Sequence, residues 1–377
     1  MKNSRFTYAE IDLSAVVYNY KLLCAQAGAG VALLAVVKAN AYGHGAVAVS
    51  RALAEAGAPM FAVASIEEGI ELRAAGIEQP ILVMGVVLPG QEGLLIEHRL
   101  TPYLFDLATA RRLSAAAAER GTAVGYHLKV NTGMSRIGFD PVDLPQVLSL
   151  LKTFTGLQMQ GVMSHFALAD APNDPFTHEQ VGRFHRIIES IHAAGFTPQY
   201  IHQANSAGIL TGVARDSNLA RPGIALYGGL PSDAFAALDL RPVMSLRSAI
   251  MQIRTVAKGV GVSYGHQFVA GRQSRIAIVQ IGYADGYNRL LSDRGEALVC
   301  GERVPVVGRV CMDWIMLDVT DVSGAQVGSE VTLLGSDTDG NLIRAEEWGA
   351  KIGTINYEVF CGISRRVPRI YKEQGSF

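Results

Sequence analysis

The stretch VALLAVVKANAYGHG, residues 31–45, joins an uninterrupted apolar run to a lysine, a tyrosine and two glycines. An apolar run as long as residues 31–37 is typical of a strand buried in a parallel sheet, and Lys38 stands where that strand ends. A desolvated lysine loses its proton readily and can attack a carbonyl carbon to form a Schiff base. Gly43 and Gly45 would let backbone amides approach an anion such as phosphate. A lysine at a strand end more often extends to solvent, so neighbouring motifs must decide.

The sequence around that stretch predicts a closed barrel. From residue 14 to about residue 230, short apolar runs alternate with longer amphipathic segments, which is typical of repeated strand and helix units. The predicted strands are residues 31–37, 60–64, 81–85, 102–105, 124–130, 159–166, 199–204 and 224–227. The predicted helices are residues 14–27, 66–75, 91–97, 106–120, 144–154 and 177–194. This α/β pattern predicts a (β/α)8 barrel of the TIM type, whose active-site residues gather at the carboxyl ends of the strands.

The residue pattern of the sequence changes after residue 238, where glycine, proline and aspartate interrupt stretches rich in β-forming residues. We therefore predict a barrel of residues 12–236 followed by a C-terminal mostly-β domain of residues 237–377. The opening strand, within residues 1–11, is expected to pair with this second domain. The only helix predicted there spans residues 345–352. No clear helix follows the eighth predicted strand, so we expect the leading helix, residues 14–27, to close the ring.

Composition narrows the function classes. A chain of 377 residues with 49% hydrophobic and 18% charged residues can bury a large core. Its net charge of -1 and pI near 6.8 favour neither nucleic acid nor an anionic membrane, so we expect a small ligand. The amino terminus lacks the apolar stretch of a signal or a membrane span, which predicts a cytoplasmic protein. Cys24, Cys300, Cys311 and Cys361 lack zinc spacing, so neither disulfides nor a metal is predicted.

Polar residues recur at the predicted carboxyl ends of other strands. They are Lys129 and Arg136 with the fifth strand, His165 with the sixth, Asn205 and Ser206 with the seventh, and Arg221 before the eighth. Taken singly, each residue could instead have an ordinary structural role, as a hydrogen-bonded core histidine, an ion-paired arginine or a helix cap. Taken together, Ser206 and the amides of Gly223 and Ile224 predict a phosphate cup at this rim.

The chain resembles the alanine racemases, pyridoxal 5'-phosphate enzymes built from a barrel and a β domain. The resemblance extends from AEIDLSA at residue 9 to INYEV at residue 355, and it includes in order AVVKANAYGHG, VNTGMSRIG, SHF, ANSA, RPGIALYG, VSYG, IGYADGY and GRVCMDW. It implies interconversion of L-alanine and D-alanine, which supplies D-alanine for bacterial peptidoglycan. It also implies a homodimer with shared active sites.

The resemblance assigns two bases. Lys38 would hold pyridoxal phosphate covalently and then act on one face of the substrate α-carbon, while Tyr264 of the partner subunit would act on the other. Arg221 would face the pyridine nitrogen, where a fixed guanidinium disfavours ring protonation. His165 and His202 would orient Arg221. The remaining cofactor-binding residues would be Tyr42, Asn205, Ser206, Gly223, Ile224 and Tyr357.

The resemblance also assigns the substrate contacts. Arg136 and the backbone amide of Met312 of the partner subunit would bind the substrate carboxylate. Lys129 corresponds to a lysine that is carbamylated in many family members and would position Arg136. Asp313, Tyr283 and Tyr357 would narrow the entrance.

Other functions use parts of the same pattern. A decarboxylase on this barrel would need an acidic residue in place of Arg221, and a Schiff-base aldolase would not need the β domain. A cofactor-binding protein without turnover would lack that domain and Tyr264. A serine or broad-specificity racemase stays open, because one extra group in a pocket changes binding by only about 1–3 kcal/mol.

Overall fold

The computed structural model describes residues 6–213 and 217–372. Residues 1–5 and 373–377, which we assigned to the second domain, lie outside the described residues. The strands in chain order are β1 (Tyr8–Asp12), β2 (Ala32–Val36), β3 (Met60–Val63), β4 (Ile81–Val83), β5 (Leu100–Leu104), β6 (Val124–Lys129), β7 (Leu157–Met163), β8 (Tyr200–His202), β9 (Leu219–Ala220), β10 (Met244–Val256), β11 (Gly261–Val262), β12 (Phe268–Val269), β13 (Ser274–Val279), β14 (Glu296–Val299), β15 (Glu302–Pro305), β16 (Ile315–Asp318), β17 (Glu330–Ser336), β18 (Leu342–Ile343) and β19 (Arg369–Lys372).

The helices are α1 (Leu13–Ala27), α2 (Lys38–Tyr42), α3 (Ala46–Glu55), α4 (Ile66–Ala74), α5 (Glu92–Glu97), α6 (Leu107–Glu119), α7 (Leu144–Leu151), α8 (Phe176–Ala193), α9 (Ser206–Leu210), α10 (Ala345–Ile352) and α11 (Asn356–Gly362). Short 3-10 turns occur at Ile224–Tyr227, Asp233–Phe235, Tyr264–His266, Tyr283–Asp285 and Arg289–Leu291. Within residues 6–213 and 217–372, none of the helices combines the length and the hydrophobicity that a membrane-spanning helix needs.

Eight parallel strands form the predicted barrel. They are hydrogen-bonded in the order β8-β7-β6-β5-β4-β3-β2-β9. The two ends of this sheet meet, because the Asn218 amide donates to the Ile201 carbonyl at 3.2 Å and the Ile201 amide donates to Asn218 Oδ1 at 2.8 Å. Strands β3 and β4 are buried at every residue, as expected for strands between a filled barrel interior and a helical shell.

The eighth strand was placed wrongly by the sequence. It is β9, which pairs with β2, whereas Ile224–Tyr227 forms a 3-10 turn. All four residues of that turn are buried, so hydrophobicity has no periodicity there that could separate a strand from a turn. Arg221 therefore follows the eighth strand and does not precede it. This correction places Arg221 at the carboxyl end of its strand, like the other candidate site residues.

The leading helix closes the ring as expected. Within α1, Asn19 donates from Nδ2 to the Leu226 carbonyl at 3.1 Å and to the Arg241 carbonyl at 2.8 Å. The helix is thereby held against the turn that follows β9. Helix α3, between β2 and β3, was not among the predicted helices.

A nine-stranded sheet forms the second domain, with the main order β15-β14-β17-β10-β1-β19. The opening strand returns to this sheet as predicted, because β1 pairs antiparallel with β10 and parallel with β19. Buried side chains of the barrel and of this sheet belong to one hydrophobic cluster. The division of the chain between residues 236 and 237 stays a prediction.

The described part of the second domain contains one α-helix more than expected. Helix α10 matches the predicted residues 345–352, but α11 follows it after a three-residue connection. The segment INYEVF is rich in β-branched and aromatic residues, a composition that favours a strand. Val359 and Phe360 are buried on the hydrophobic core, so packing overrides that local preference.

Candidate active site

A cavity of about 410 Å³ opens at the carboxyl ends of the barrel strands. The candidate residues that line it are Lys38, Tyr42, Lys129, Arg136, His165, Asn205, Ser206, Arg221, Gly223, Ile224 and Tyr357. Its volume suits a small-molecule ligand. A second cavity, of about 460 Å³, lies in the β domain and contains neither lysine nor histidine among its lining residues. The barrel cavity is therefore the candidate active site.

An unusual turn positions Lys38 and Tyr42. Residues 39–42 of α2 have φ of 53–54°, the left-handed region that costs a non-glycine residue about 1–2 kcal/mol. Side chains compensate, since Glu68 Oε1 accepts from the Ala39 amide at 2.7 Å and Asn40 Oδ1 accepts from the Ala46 amide at 2.8 Å. The turn lies directly after β2, and Lys38 and Tyr42, at its two ends, are both on the cavity wall.

The environment of Lys38 lowers the pKa of its amine. Burial lowers the pKa of Lys38, and the positive charge of Arg136 lowers it further, against a partial opposing effect of Glu68. A neutral amine is the form that attacks a carbonyl carbon or accepts a proton.

The predicted phosphate cup is assembled from three segments. Ser206 Oγ accepts from the Gly223 amide at 2.9 Å and from the Ala225 amide at 3.4 Å. A Cβ atom at Gly223 would lie 2.5 Å from the Tyr42 hydroxyl, so only glycine fits there. The Ile224 amide begins a 3-10 turn and so has no acceptor within it. The Tyr42 and Ser206 hydroxyls thus lie on the cavity wall with the Ile224 amide, which has no backbone acceptor in the described part of the chain.

Two further residues border this cup. The Tyr357 ring of α11 lies 6.0 Å from the Tyr42 ring, between centroids. Asn205 accepts from the Gly208 amide at 2.9 Å through Oδ1 and so caps α9. The ordinary role considered for Asn205 therefore applies, although this residue also lines the cavity.

Arg221 is buried, and the acceptors that bond to it within the described residues are all neutral. Its Nη1 donates to His202 Nδ1 at 2.8 Å and to the His202 carbonyl at 3.1 Å. Its Nη2 donates to the carbonyls of Ser164 at 2.6 Å and Gln203 at 3.0 Å, and to His165 Nδ1 at 3.2 Å. Burial lowers the pKa of Arg221 to about 9. Among residues 6–213 and 217–372, Nε has no hydrogen-bond acceptor.

Lys129 is a second perturbed lysine on the cavity wall. Burial lowers its pKa to about 7, and the charges of Arg221 and Arg136 contribute. Its Nζ donates only weakly to the Val130 carbonyl, at 3.4 Å. The predicted support of Arg136 by Lys129 stays a prediction.

Four candidate residues lie elsewhere in this chain. Tyr264, Tyr283, Met312 and Asp313, which we call the β-domain face, do not line the barrel cavity. Tyr264 is 70% exposed, Tyr283 43% and Met312 53%. Hydrogen bonds join their segments, since the Tyr283 amide donates to the Cys311 carbonyl at 3.0 Å. Asp313 accepts from Arg366 at 2.8 Å. A single chain therefore does not bring Tyr264 to Lys38.

His127 is connected to the site through His202 and was missed by the sequence prediction. His127 is buried in β6, and its Nδ1 lies 2.7 Å from His202 Nε2. It stands two residues before Lys129, and side chains two residues apart on a strand share a face. That alternation is the signal that could have identified it.

The barrel and the small-molecule cavity at the carboxyl ends of its strands define the class of protein, a barrel enzyme. Two sequence families match this chain: "Alanine racemase, N-terminal domain" over residues 11–231 and "Alanine racemase, C-terminal domain" over residues 243–371. The chain belongs to the alanine racemase family, which is a family of amino-acid isomerases.

Individual relatives agree over the full length. Alanine racemase of Geobacter sulfurreducens is 46% identical over 373 residues, which cover 98% of each chain. The structure of alanine racemase from Clostridium difficile 630 superposes with a TM-score of 0.92 at 36% identity, covering 99% of this chain and 97% of that one. Alanine racemase from Bartonella henselae, solved with covalently bound pyridoxal phosphate, has a TM-score of 0.88 at 31% identity, with coverages of 97% and 99%.

Proposed function

We propose that this chain interconverts L-alanine and D-alanine with pyridoxal 5'-phosphate held on Lys38. The observation that carries the proposal is the cavity itself, where a lysine of lowered pKa, an anion cup and a buried arginine line one wall. Racemisation of a panel of L-amino acids by the purified protein tests it, with D-enantiomers separated by chiral chromatography. Absence of D-alanine in the presence of pyridoxal phosphate would falsify it.

The residues fit this cofactor chemically. The hydroxyls of Tyr42 and Ser206 and the amide of Ile224 are donors suited to a phosphate, and the tight contact of Gly223 with Tyr42 keeps the cup open to it. Lys38 would supply the amine for a covalent attachment, and the Bartonella henselae relative was solved with covalently bound pyridoxal phosphate. Once bound, the cofactor withdraws electrons from the substrate α-carbon and makes its proton acidic. The Tyr357 hydroxyl, His165 and Asn205 would complete the binding set.

Arg221 would control where the proton returns. Its Nε is free of described protein acceptors, so it would donate to the pyridine nitrogen. A guanidinium has no acceptor and retains its proton, and it therefore keeps that nitrogen unprotonated. The electron sink is then weak, which favours return of the proton to the α-carbon over transamination.

Arg221→Glu is expected to shift the reaction outcome. Racemisation should decrease about 100-fold, the scale for losing one preorganised donor, while the fraction of turnovers ending in pyridoxamine phosphate rises. Chiral chromatography measures racemisation, and the absorbance of the released cofactor measures the fraction of turnovers that end in pyridoxamine phosphate. Arg221→Lys retains the positive charge and serves as the control, with low transamination. Equal transamination in both variants would contradict the role of charge, and thermal unfolding of each variant checks that it folds.

Two bases must act on opposite faces of the α-carbon, because racemisation removes a proton from one face and returns one to the other. We propose Lys38 for one face and Tyr264 of a second copy for the other. The exposure of Tyr264 in the single chain supports this, since a catalytic tyrosine must reach the substrate. The functional unit would be a homodimer in which the β-domain face of one subunit covers the barrel cavity of its partner.

The substrate carboxylate would bind at Arg136 and at the backbone amide of Met312 of the partner subunit. Arg136 lines the cavity, and a planar guanidinium suits a carboxylate through two parallel hydrogen bonds. In the described residues the Met312 amide has no backbone acceptor, which leaves it able to donate. Asp313 and Tyr283 would narrow the entrance from the same face.

Substrate range depends on Tyr357. Its ring borders the cup and would limit the space for a side chain larger than methyl. Tyr357→Ala is therefore expected to raise kcat/KM for L-serine relative to L-alanine by about tenfold, within the 1–3 kcal/mol that one group contributes in a pocket. The same amino-acid panel measures it, with Tyr103→Ala, also on the cavity wall, as a matched control. An unchanged serine-to-alanine ratio would assign specificity to other residues.

Serine or broad specificity is the alternative function, and the panel distinguishes it directly. The physiological role would be the supply of D-alanine for peptidoglycan in the cytoplasm. Family membership alone supports that role.

A further inference from the structure

His127 is a buried histidine that touches neither cavity nor solvent. It lies on β6 with no exposed surface, and its Nδ1 is 2.7 Å from His202 Nε2. Its other ring nitrogen, Nε2, is buried and has no hydrogen-bond partner in the described part of the chain. An unpaired buried donor costs free energy, so a compensating reason for this histidine is expected.

The hydrogen bond from Arg221 determines which ring nitrogen carries the proton in His202 and, through it, in His127. A guanidinium can only donate, so His202 Nδ1, 2.8 Å from Nη1, must be an unprotonated acceptor. Burial and the charge of Arg221 hold the pKa of His202 well below its ordinary value, so its ring is neutral and carries the proton on Nε2. That N–H donates to His127 Nδ1, and His127 must then carry its own proton on the unpaired Nε2.

The hydrogen bond from Arg221 to His202 and the one from His202 to His127 therefore both point away from the cofactor site. We propose that His127 is a positioning residue, which accepts from His202 and thereby keeps His202 in the tautomer that Arg221 needs. The inference rests on the proposed function for its consequence, the suppression of transamination by a fixed Arg221. The hydrogen-bond direction itself does not depend on that function.

The backbone makes room for the His127 ring. Residue 127 pairs with Gly161 across β6 and β7, and a Cβ at Gly161 would lie 2.6 Å from His127 Nδ1. The ring is also stacked on Tyr200, with centroids 5.7 Å apart. Any side chain at residue 161 would push Nδ1 away from His202.

Asparagine and leucine at residue 127 form a matched pair. They have nearly the same shape, but only asparagine offers an oxygen where His127 Nδ1 lies. We expect His127→Leu to raise the ratio of transamination to racemisation by about tenfold, comparable with the loss of an outer-shell hydrogen-bond partner at a metal site. His127→Asn should restore most of the wild-type ratio. Gly161→Ala should resemble His127→Leu.

A second readout uses the cofactor-free protein. Long-range ¹H–¹⁵N spectra of protein labelled with ¹⁵N-histidine should show His127 and His202 as neutral Nε2–H tautomers, assigned by the loss of signals in the variants. The His202 Nε2 resonance should shift in His127→Leu and return in His127→Asn.

The outcomes are separable. A proton on His127 Nδ1, or leucine and asparagine variants with the same transamination ratio and the same His202 resonances, would overturn the inference. A wild-type protein that does not racemise alanine contradicts the proposed function instead, and the tautomers still test the hydrogen-bond direction.

Discussion

Lys38→Ala is expected to abolish racemisation of alanine. The amine has two roles in the proposed reaction, since it holds pyridoxal phosphate and moves a proton on one face of the α-carbon. Loss of a general base alone costs about 100-fold to 10,000-fold, so loss of both roles should reach at least the upper value. The lowered pKa of Lys38 eases the loss of the ammonium proton, which both roles require.

Borohydride reduction gives the measurement for Lys38. In the wild type, reduction should fix the cofactor on the peptide that contains Lys38, as seen by mass spectrometry of the digest, and the visible absorption band should disappear. Lys21→Ala, on the exposed side of α1, is the matched control and should behave like the wild type. A reducible cofactor band that persists in Lys38→Ala would refute the assignment.

Tyr264→Phe is expected to affect one enantiomer more than the other. Removing the hydroxyl deletes the proton carrier on one face while the ring, and hence the shape of the β-domain face, is kept. Exchange of the α-proton of L-alanine with D₂O, followed by ¹H NMR, should fall by about 100-fold to 10,000-fold, and exchange of D-alanine should fall less. Tyr18→Phe, on α1, is the control for removal of a tyrosine hydroxyl elsewhere. Equal losses for both enantiomers would reject the two-face scheme.

Mixed dimers test whether the site is shared. Each inactive variant, Lys38→Ala and Tyr264→Phe, retains the residue that the other lacks. After subunit exchange, half of the dimers would be mixed, with one intact site and one doubly altered site. Turnover should recover to about a quarter of the wild-type value if a two-fold dimer exchanges at random. Absence of recovery after exchange verified by native mass spectrometry would place both bases in one chain.

The ends of the strands could be predicted from the sequence because polar residues there interrupt long buried apolar runs. Lys38, His165 and Ser206 could be placed on one rim in this way, and the structure has all three on one cavity wall. The same reasoning failed at Ile224–Tyr227, where every residue is buried and apolar. The position of Arg221 relative to β9 could be assigned only from the pairing of β9 with β2 in the structure.

Other features depend on contacts between distant segments. The left-handed turn after Lys38 is held by Glu68, and α11 is helical because Val359 and Phe360 pack on the core. His127 resembled an ordinary core residue until its contact with His202, 75 residues away, was visible.

The sequence by itself determined the barrel, the return of the opening strand and the chemical types at the rim, because these follow from local hydrophobic patterns and strand ends. Only the tertiary structure decided which donors face which acceptors around Arg221 and how exposed Tyr264 is in the single chain. Hydrogen-bond direction and exposure are properties of neighbours in space, and no local pattern of residues encodes them.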